Sequence, residues 1–145
     1  MAEEVTLTNM CMIKDKDNNV VVQHRNSKSW PGTVFPGGHV EAEESIVLSV
    51  IREVKEETGL NIKNPTLCGV KQFKKANGTR YIVFLFTATE YDGNLTSSAE
   101  GDVEWVVYDK LKELDLASGF EEMLPVFEGK YQEMQYVDNG ETLYF

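Results

Sequence analysis

The chain has 145 residues, 41% hydrophobic and 26% charged, which is the composition of one soluble globular domain with a real core rather than of a disordered chain. Fourteen basic residues stand against 24 acidic ones, a net charge of -10, and this disfavours electrostatic binding of a nucleic-acid polymer. A small phosphorylated ligand is still allowed, because a divalent cation can bridge an acidic site to an anion.

Apolar runs such as Tyr81-Ile82-Val83-Phe84-Leu85-Phe86 are too short to span a bilayer, so no membrane role is expected. The acidic start, Met1-Ala2-Glu3-Glu4, lacks an apolar signal core. Cys11 and Cys68 sit in apolar surroundings and form neither a disulfide framework nor a metal-ligand spacing. These features together predict a cytoplasmic protein.

In chain order, with no linker or repeat, residues 1–145 read as a single domain. Residues 5–13 predict a strand, and a turn over Lys14 to Asn19 leads to a second strand, Val20 to His24. Residues 25–34 are polar and rich in turn formers, hence a loop, and Phe35-Pro36-Gly37-Gly38 reads as a tight turn. Residues 45–58 predict a helix, with Ser45 as N-cap and Gly59 as terminator. Strands at 66–75 and 79–90 flank Asn77-Gly78, the signal for a two-residue type I′ hairpin turn. A further strand covers Asp102 to Tyr108, and a second helix about 118–129 is bent or interrupted by Pro125. The tail reads as a hairpin, Tyr131 to Val137 and Thr142 to Phe145. The expected fold class is α/β (α+β), a mixed sheet covered by helices.

The helix at 45–58 carries the chemistry. At 100° per residue Val47, Val50, Ile51, Val54 and Thr58 share one face, which packs on the sheet. Glu53, Glu56 and Glu57 form a second stripe at i, i+3 and i+4, and three carboxylates on adjacent turns repel one another. Arg52 can pair with Glu56, but one arginine does not neutralise three glutamates. Glu44 precedes the helix, near the positive end of its dipole. Taken by itself, the stripe suits a solvated acidic face better than a site, since charge runs mostly face solvent. The flanking Gly37-Gly38 and Gly59-Leu60 turn the reading towards a site that binds a hard divalent ion.

Written out, the segment is Gly38-x5-Glu44-x7-Arg52-Glu53-Val54-x-Glu56-Glu57-x-Gly59-Leu60, and it resembles the Nudix box, the signature of the Nudix hydrolase family, at every position. Phe35-Pro36-Gly37-Gly38 is similar to the approach to that box in MutT-like members, which include 8-oxo-dGTP diphosphatases. The order of elements also resembles the Nudix fold, a mixed β-sheet sandwiched between α-helices.

The resemblance implies Mg²⁺-dependent or Mn²⁺-dependent hydrolysis of a nucleoside diphosphate linked to another group. It implies that Glu53, Glu56 and Glu57 hold the metal with the Gly37 carbonyl, and that Arg52 orients a box glutamate. Glu44 would support the loop–helix junction or act on water at the metal, and Gly38 would supply a backbone shape that a side chain obstructs. The identity of the general base stays open. Glu100, in the acidic loop before the strand of Trp105, is a further metal candidate, with a solvated loop acid as the equal alternative.

Arg25 is a candidate phosphate contact or a surface ion pair. Phe35 is a candidate base-stacking residue, whereas Trp30 reads as a packed loop aromatic. Lys71, Lys74, Lys75 and Arg80 either balance charge or face a triphosphate. Residues 74–78, Lys-Lys-Ala-Asn-Gly, lack the proline and tyrosine markers of ADP-ribose and dinucleoside-polyphosphate subfamilies. The expected substrate is therefore a nucleoside triphosphate, with an oxidised purine such as 8-oxo-dGTP among the candidates, in the service of nucleotide-pool sanitation. The alternatives are ADP-ribose, a dinucleoside polyphosphate, or nucleotide binding without catalysis. A homodimer whose partner enlarges the pocket is also open.

Overall fold

The computed structural model describes residues 1–145. Ten strands and two α-helices follow one another: β1 (Val5–Ile13), β2 (Asn19–Arg25), β3 (Gly32–Val34), α1 (Ile46–Thr58), β4 (Asn61–Lys63), β5 (Thr66–Lys74), β6 (Arg80–Ala88), β7 (Glu90–Asp92), β8 (Gly101–Val107), α2 (Leu124–Phe127), β9 (Glu133–Tyr136) and β10 (Thr142–Tyr144). The main sheet is mixed, in the order β1-β6-β5-β9-β10, with β1 parallel to β6 and β5 parallel to β9. A second, antiparallel sheet runs β3-β2-β8, and β4 pairs with β7.

Two cores lie on opposite faces. Cys11, Ile13, Val21, Val50, Val54 and Phe86 pack beneath α1. Met10, Val22, Phe35, Phe120, Met123 and Phe127 pack around α2. Strand alternation sorts the residues: Val20 and Val22 enter one core and Val21 the other. No helix is long and apolar enough to cross a membrane.

The helix α1 forms as expected. Ser45 Oγ accepts from the Leu48 N–H at 3.2 Å, and Gly59 ends the helix at φ 80°. Its orientation differs from the expected one. Val47 is 44% exposed, while Ser49, Val50, Val54, Glu57 and Thr58 are buried. The helix is rotated so that the acidic edge of its apolar stripe turns inward, and Glu57 becomes part of the packed face.

Other expectations change in detail. Residues 32–34 leave the loop to form β3 against β2. The segment expected as a helix over about 118–129 holds only a 3-10 turn at Glu121–Met123 followed by α2. Pro125 stands in the first turn of α2, where its missing N–H costs nothing. At Asn77-Gly78 only Gly78 has positive φ, and its N–H bonds the Lys75 carbonyl at 2.9 Å. That is a type I turn with a left-handed glycine, not a type I′ turn. The short pair β4–β7 and the 3-10 segment Tyr108–Glu113 have no counterpart in the expected elements.

Candidate active site

The turn Pro36 to Val40 lies against β1, with Asn9 N–H donating to the Gly38 carbonyl at 2.8 Å and Cys11 N–H to that of Pro36 at 2.9 Å. Both glycines are required by close approach. A Cβ on Gly37 would strike the Asn9 carbonyl, and one on Gly38 would strike the Glu53 carboxyl group. The N-terminal half of α1 is tied to this turn by a buried polar bridge. Asn9 Oδ1 accepts from the Gly38 N–H at 3.0 Å, and Asn9 Nδ2 donates to Ser49 Oγ at 2.9 Å. Ser49 Oγ in turn donates to the Ile46 carbonyl at 2.6 Å. Neither Asn9 nor Ser49 belongs to the motif that marks the site. The signal was a polar side chain inside each apolar run.

Arg52 is the hub of the acidic cluster. Its Nε and Nη2 donate to the two Glu44 carboxylate oxygens at 2.7 and 2.9 Å. Nη2 also donates to the His39 carbonyl at 3.0 Å, and Nη1 reaches Glu53 at 3.0 Å and Glu56 at 3.3 Å. The hydrogen bonds from Arg52 hold the Glu44 carboxyl down to about 2, and the same contacts raise the Arg52 pKa, so the pair stays charged. Glu44 therefore anchors the arginine.

Glu57 faces the opposite condition. It is 2% exposed, and one oxygen accepts from the Gly37 N–H at 3.2 Å. Its carboxyl meets that of Glu100 at hydrogen-bond range. Burial first, and this contact second, push its pKa up to about 9. Glu53 is also raised by burial, against the pull of Arg52, and it feels Glu56 and Glu100. Glu57 thus neighbours Glu100 and feels Glu53, with Glu56 on the exposed rim.

No three His, Cys, Asp or Glu side chains stand close enough to make a ready-formed metal cage. Arg52 still draws Glu44, Glu53 and Glu56 to itself. The donor set nonetheless fits a hard divalent ion. It offers several carboxylate oxygens beside a backbone turn, and burial raises the pKa of two of these carboxyls, Glu53 and Glu57.

The remaining candidates separate. Arg25 ends β2, donates from Nε to the Trp30 carbonyl at 2.9 Å, and stacks over that indole at 5.4 Å. In register it opposes Gly101, the neighbour of Glu100, so it borders the acidic cluster without pairing with it. Phe35 is 1% exposed and meets Phe120 and Phe127 edge-on at 4.8 and 5.1 Å. This corrects the expectation of a base-stacking residue, because the ring is enclosed in the core and offers no surface to a base. Trp30 packs as expected, its Nε1 donating to the Ser118 carbonyl at 2.8 Å.

The family model of the NUDIX domain matches residues 6–127. The chain belongs to the NUDIX family. It is 36% identical over 114 residues to the uncharacterized Nudix hydrolase YvcI of Bacillus subtilis (strain 168), covering 75% of this chain and 70% of that one. It is 34% identical over 88 residues to an 8-oxo-dGTP diphosphatase of Proteus vulgaris, covering 59% of this chain and 77% of the relative. Three other curated relatives are matched over only about a third of their own length. Among solved structures, the MutT protein of Bacillus halodurans superposes with a TM-score of 0.72 at 31% identity, over 96% of this chain and 95% of that one. The fold is therefore the mixed α+β architecture of MutT proteins.

Proposed function

We propose that this NUDIX-family chain hydrolyses nucleoside triphosphates to a monophosphate and pyrophosphate, using a divalent ion, with oxidised purine nucleotides such as 8-oxo-dGTP among its substrates. The observation that carries this reading is the set of box carboxylates beside the Gly37-Gly38 turn, with Glu44, Glu53 and Glu56 on Arg52, Glu53 against Gly38 and Glu57 bonded to the Gly37 N–H. Glu53, Glu56, Glu57, Glu100 and the Gly37 carbonyl would hold Mg²⁺ or Mn²⁺. When bound, such an ion neutralises phosphate oxygens and makes water a better nucleophile at neutral pH.

The chain's own groups do the rest. Arg52, anchored by Glu44 and the His39 carbonyl, fixes Glu53 and Glu56. A box carboxylate accepts the proton of the attacking water at hydrogen-bond range. Arg25 meets the phosphate chain with a guanidinium that no acid neutralises. Phe35 supports the turn from beneath. The likeness to an 8-oxo-dGTP diphosphatase and to a MutT protein supports a triphosphate substrate.

The test is a nucleotide panel with Mg²⁺, read by release of phosphate and pyrophosphate, on the wild type and on Glu56→Gln and Glu57→Gln. Turnover of triphosphates should require the ion and nearly vanish in both variants while circular dichroism stays unchanged. Variants that turn over like the wild type at limiting Mg²⁺ would remove the assignment.

A further inference from the structure

Lys71 lies mid-way along β5, under α2. Its Nζ is 5.5 Å from the Phe73 ring, 5.8 Å from the Trp30 ring and 3.9 Å from Met123 Sδ. It forms no ion pair, and the one acid it feels through space is Glu122. Arg25, stacked on the same Trp30, has no acid partner either. In a chain of net charge -10, two cations share one indole and neither is neutralised. Burial lowers the Lys71 pKa, the sign of a desolvated ammonium without compensation.

The residues form a continuous line. Lys71 touches Trp30, Trp30 carries Arg25, and Arg25 opposes Gly101 next to Glu100, whose carboxyl meets Glu57. The line sets two unpaired cations and a flat ring on one side of the acidic cluster. The hydrogen bond from Trp30 Nε1 to the Ser118 carbonyl fixes the indole plane at the ring end.

We propose that Lys71 and Trp30 form the base-recognition end of the substrate site and select a nucleobase whose edge presents hydrogen-bond acceptors. This rests on the reading of the chain as a nucleotide hydrolase. An ammonium carries three donors and no acceptor, and the rings and thioether around it supply no oxygen. Guanine presents a carbonyl oxygen and a ring nitrogen on one edge, both acceptors. Adenine places an amino donor where guanine has the carbonyl, so a donor would face a donor. The indole adds stacking that does not distinguish the bases.

Titration calorimetry of guanosine and adenosine 5′-monophosphates into the whole protein with Mg²⁺ tests this. The wild type should bind the guanine nucleotide about tenfold more tightly, the scale of one charge-assisted hydrogen bond. Lys71→Met should erase the preference by weakening guanine alone, without lowering the melting temperature, since it removes an unpaired desolvated charge. Trp30→Leu should weaken both nucleotides. A probe that needs no variant is the 2-aminopurine nucleotide, which has neither the carbonyl of guanine nor the 6-amino donor of adenine and should bind more weakly than guanine. Equal binding of both bases by the wild type, or an unchanged preference in Lys71→Met, overturns the proposal. If the preference depends on Lys71 but no triphosphate is hydrolysed, the base site stands and the catalytic reading fails.

Discussion

Arg52 grips Glu44 across eight residues of chain with two parallel hydrogen bonds, from Nε at 2.7 Å and from Nη2 at 2.9 Å. This fork joins the loop ahead of α1 to the helix surface that carries the carboxylates. Lysine cannot reproduce it, because a point charge lacks the planar pair of donors.

The first prediction follows from that fork. Arg52→Ala frees Glu44, Glu53 and Glu56 at once. Turnover should fall by roughly 10–100-fold, as for other partners that orient metal ligands, while nucleotide affinity changes less. Steady-state kinetics separate the two. Loss of binding with intact turnover at saturation would make Arg52 a substrate contact instead.

The Glu44 carboxyl, held down to about 2, gives a pH signature. A depressed folded pKa contributes stability above the ordinary value of 4.5, and that contribution is lost as the pH falls towards 2. The melting temperature of the wild type should therefore exceed that of Glu44→Gln near neutrality. The gap should close as the pH drops through this window. A gap that is constant with pH would mean that the pair adds no charge-dependent stability.

The two glycines of the turn should fail differently. Gly38→Ala meets only the end of the Glu53 side chain, so the fold should hold while metal affinity drops by roughly 10–100-fold. Gly37→Ala meets the backbone of Asn9 and Met10, which cannot swing aside. It should cost about 1–3 kcal/mol of stability, the range for overpacking. Denaturant titration and metal titration of the two variants distinguish these outcomes.

Phe35 gives a prediction opposite to its role as read from the motif. Phe35→Ala should cost about 3–5 kcal/mol, the usual price of truncating a buried aromatic. Phe35→Leu should fold and keep the wild-type order of preference among nucleobases. A changed base preference in Phe35→Leu would return this ring to the substrate site.

Much of the site could be read from the chain because its signals are local. Ser45 and Gly59 bound α1 by capping chemistry, and the glutamate spacing fixes which carboxylates share a stripe. The failures share a cause, which is that a face or an angle is set by tertiary packing. Val47 fits the apolar arc on a helical wheel, yet the rotation of α1 exposes it and buries Glu57. Phe35 stands in a motif beside the site, and only the positions of Phe120 and Phe127 reveal that its ring faces away. The pair β4–β7 uses three-residue strands, too short for any alternation to register. Glu100 is a candidate by resemblance and not by any local signal, because it lies far along the sequence from α1 and its neighbourhood with Glu57 depends on the pairing of β2 with β8.

The central claim is that the acidic cluster directs water at a triphosphate and splits off pyrophosphate. The most direct measurement is turnover of a nucleoside triphosphate in water enriched in heavy oxygen, with mass analysis of both products. Attack at the β phosphorus places the label in pyrophosphate, and attack at the α phosphorus places it in the monophosphate. The expected products are a nucleoside monophosphate and labelled pyrophosphate. Release of inorganic phosphate, or hydrolysis of ADP-ribose or a dinucleoside polyphosphate far faster than any triphosphate, would contradict it.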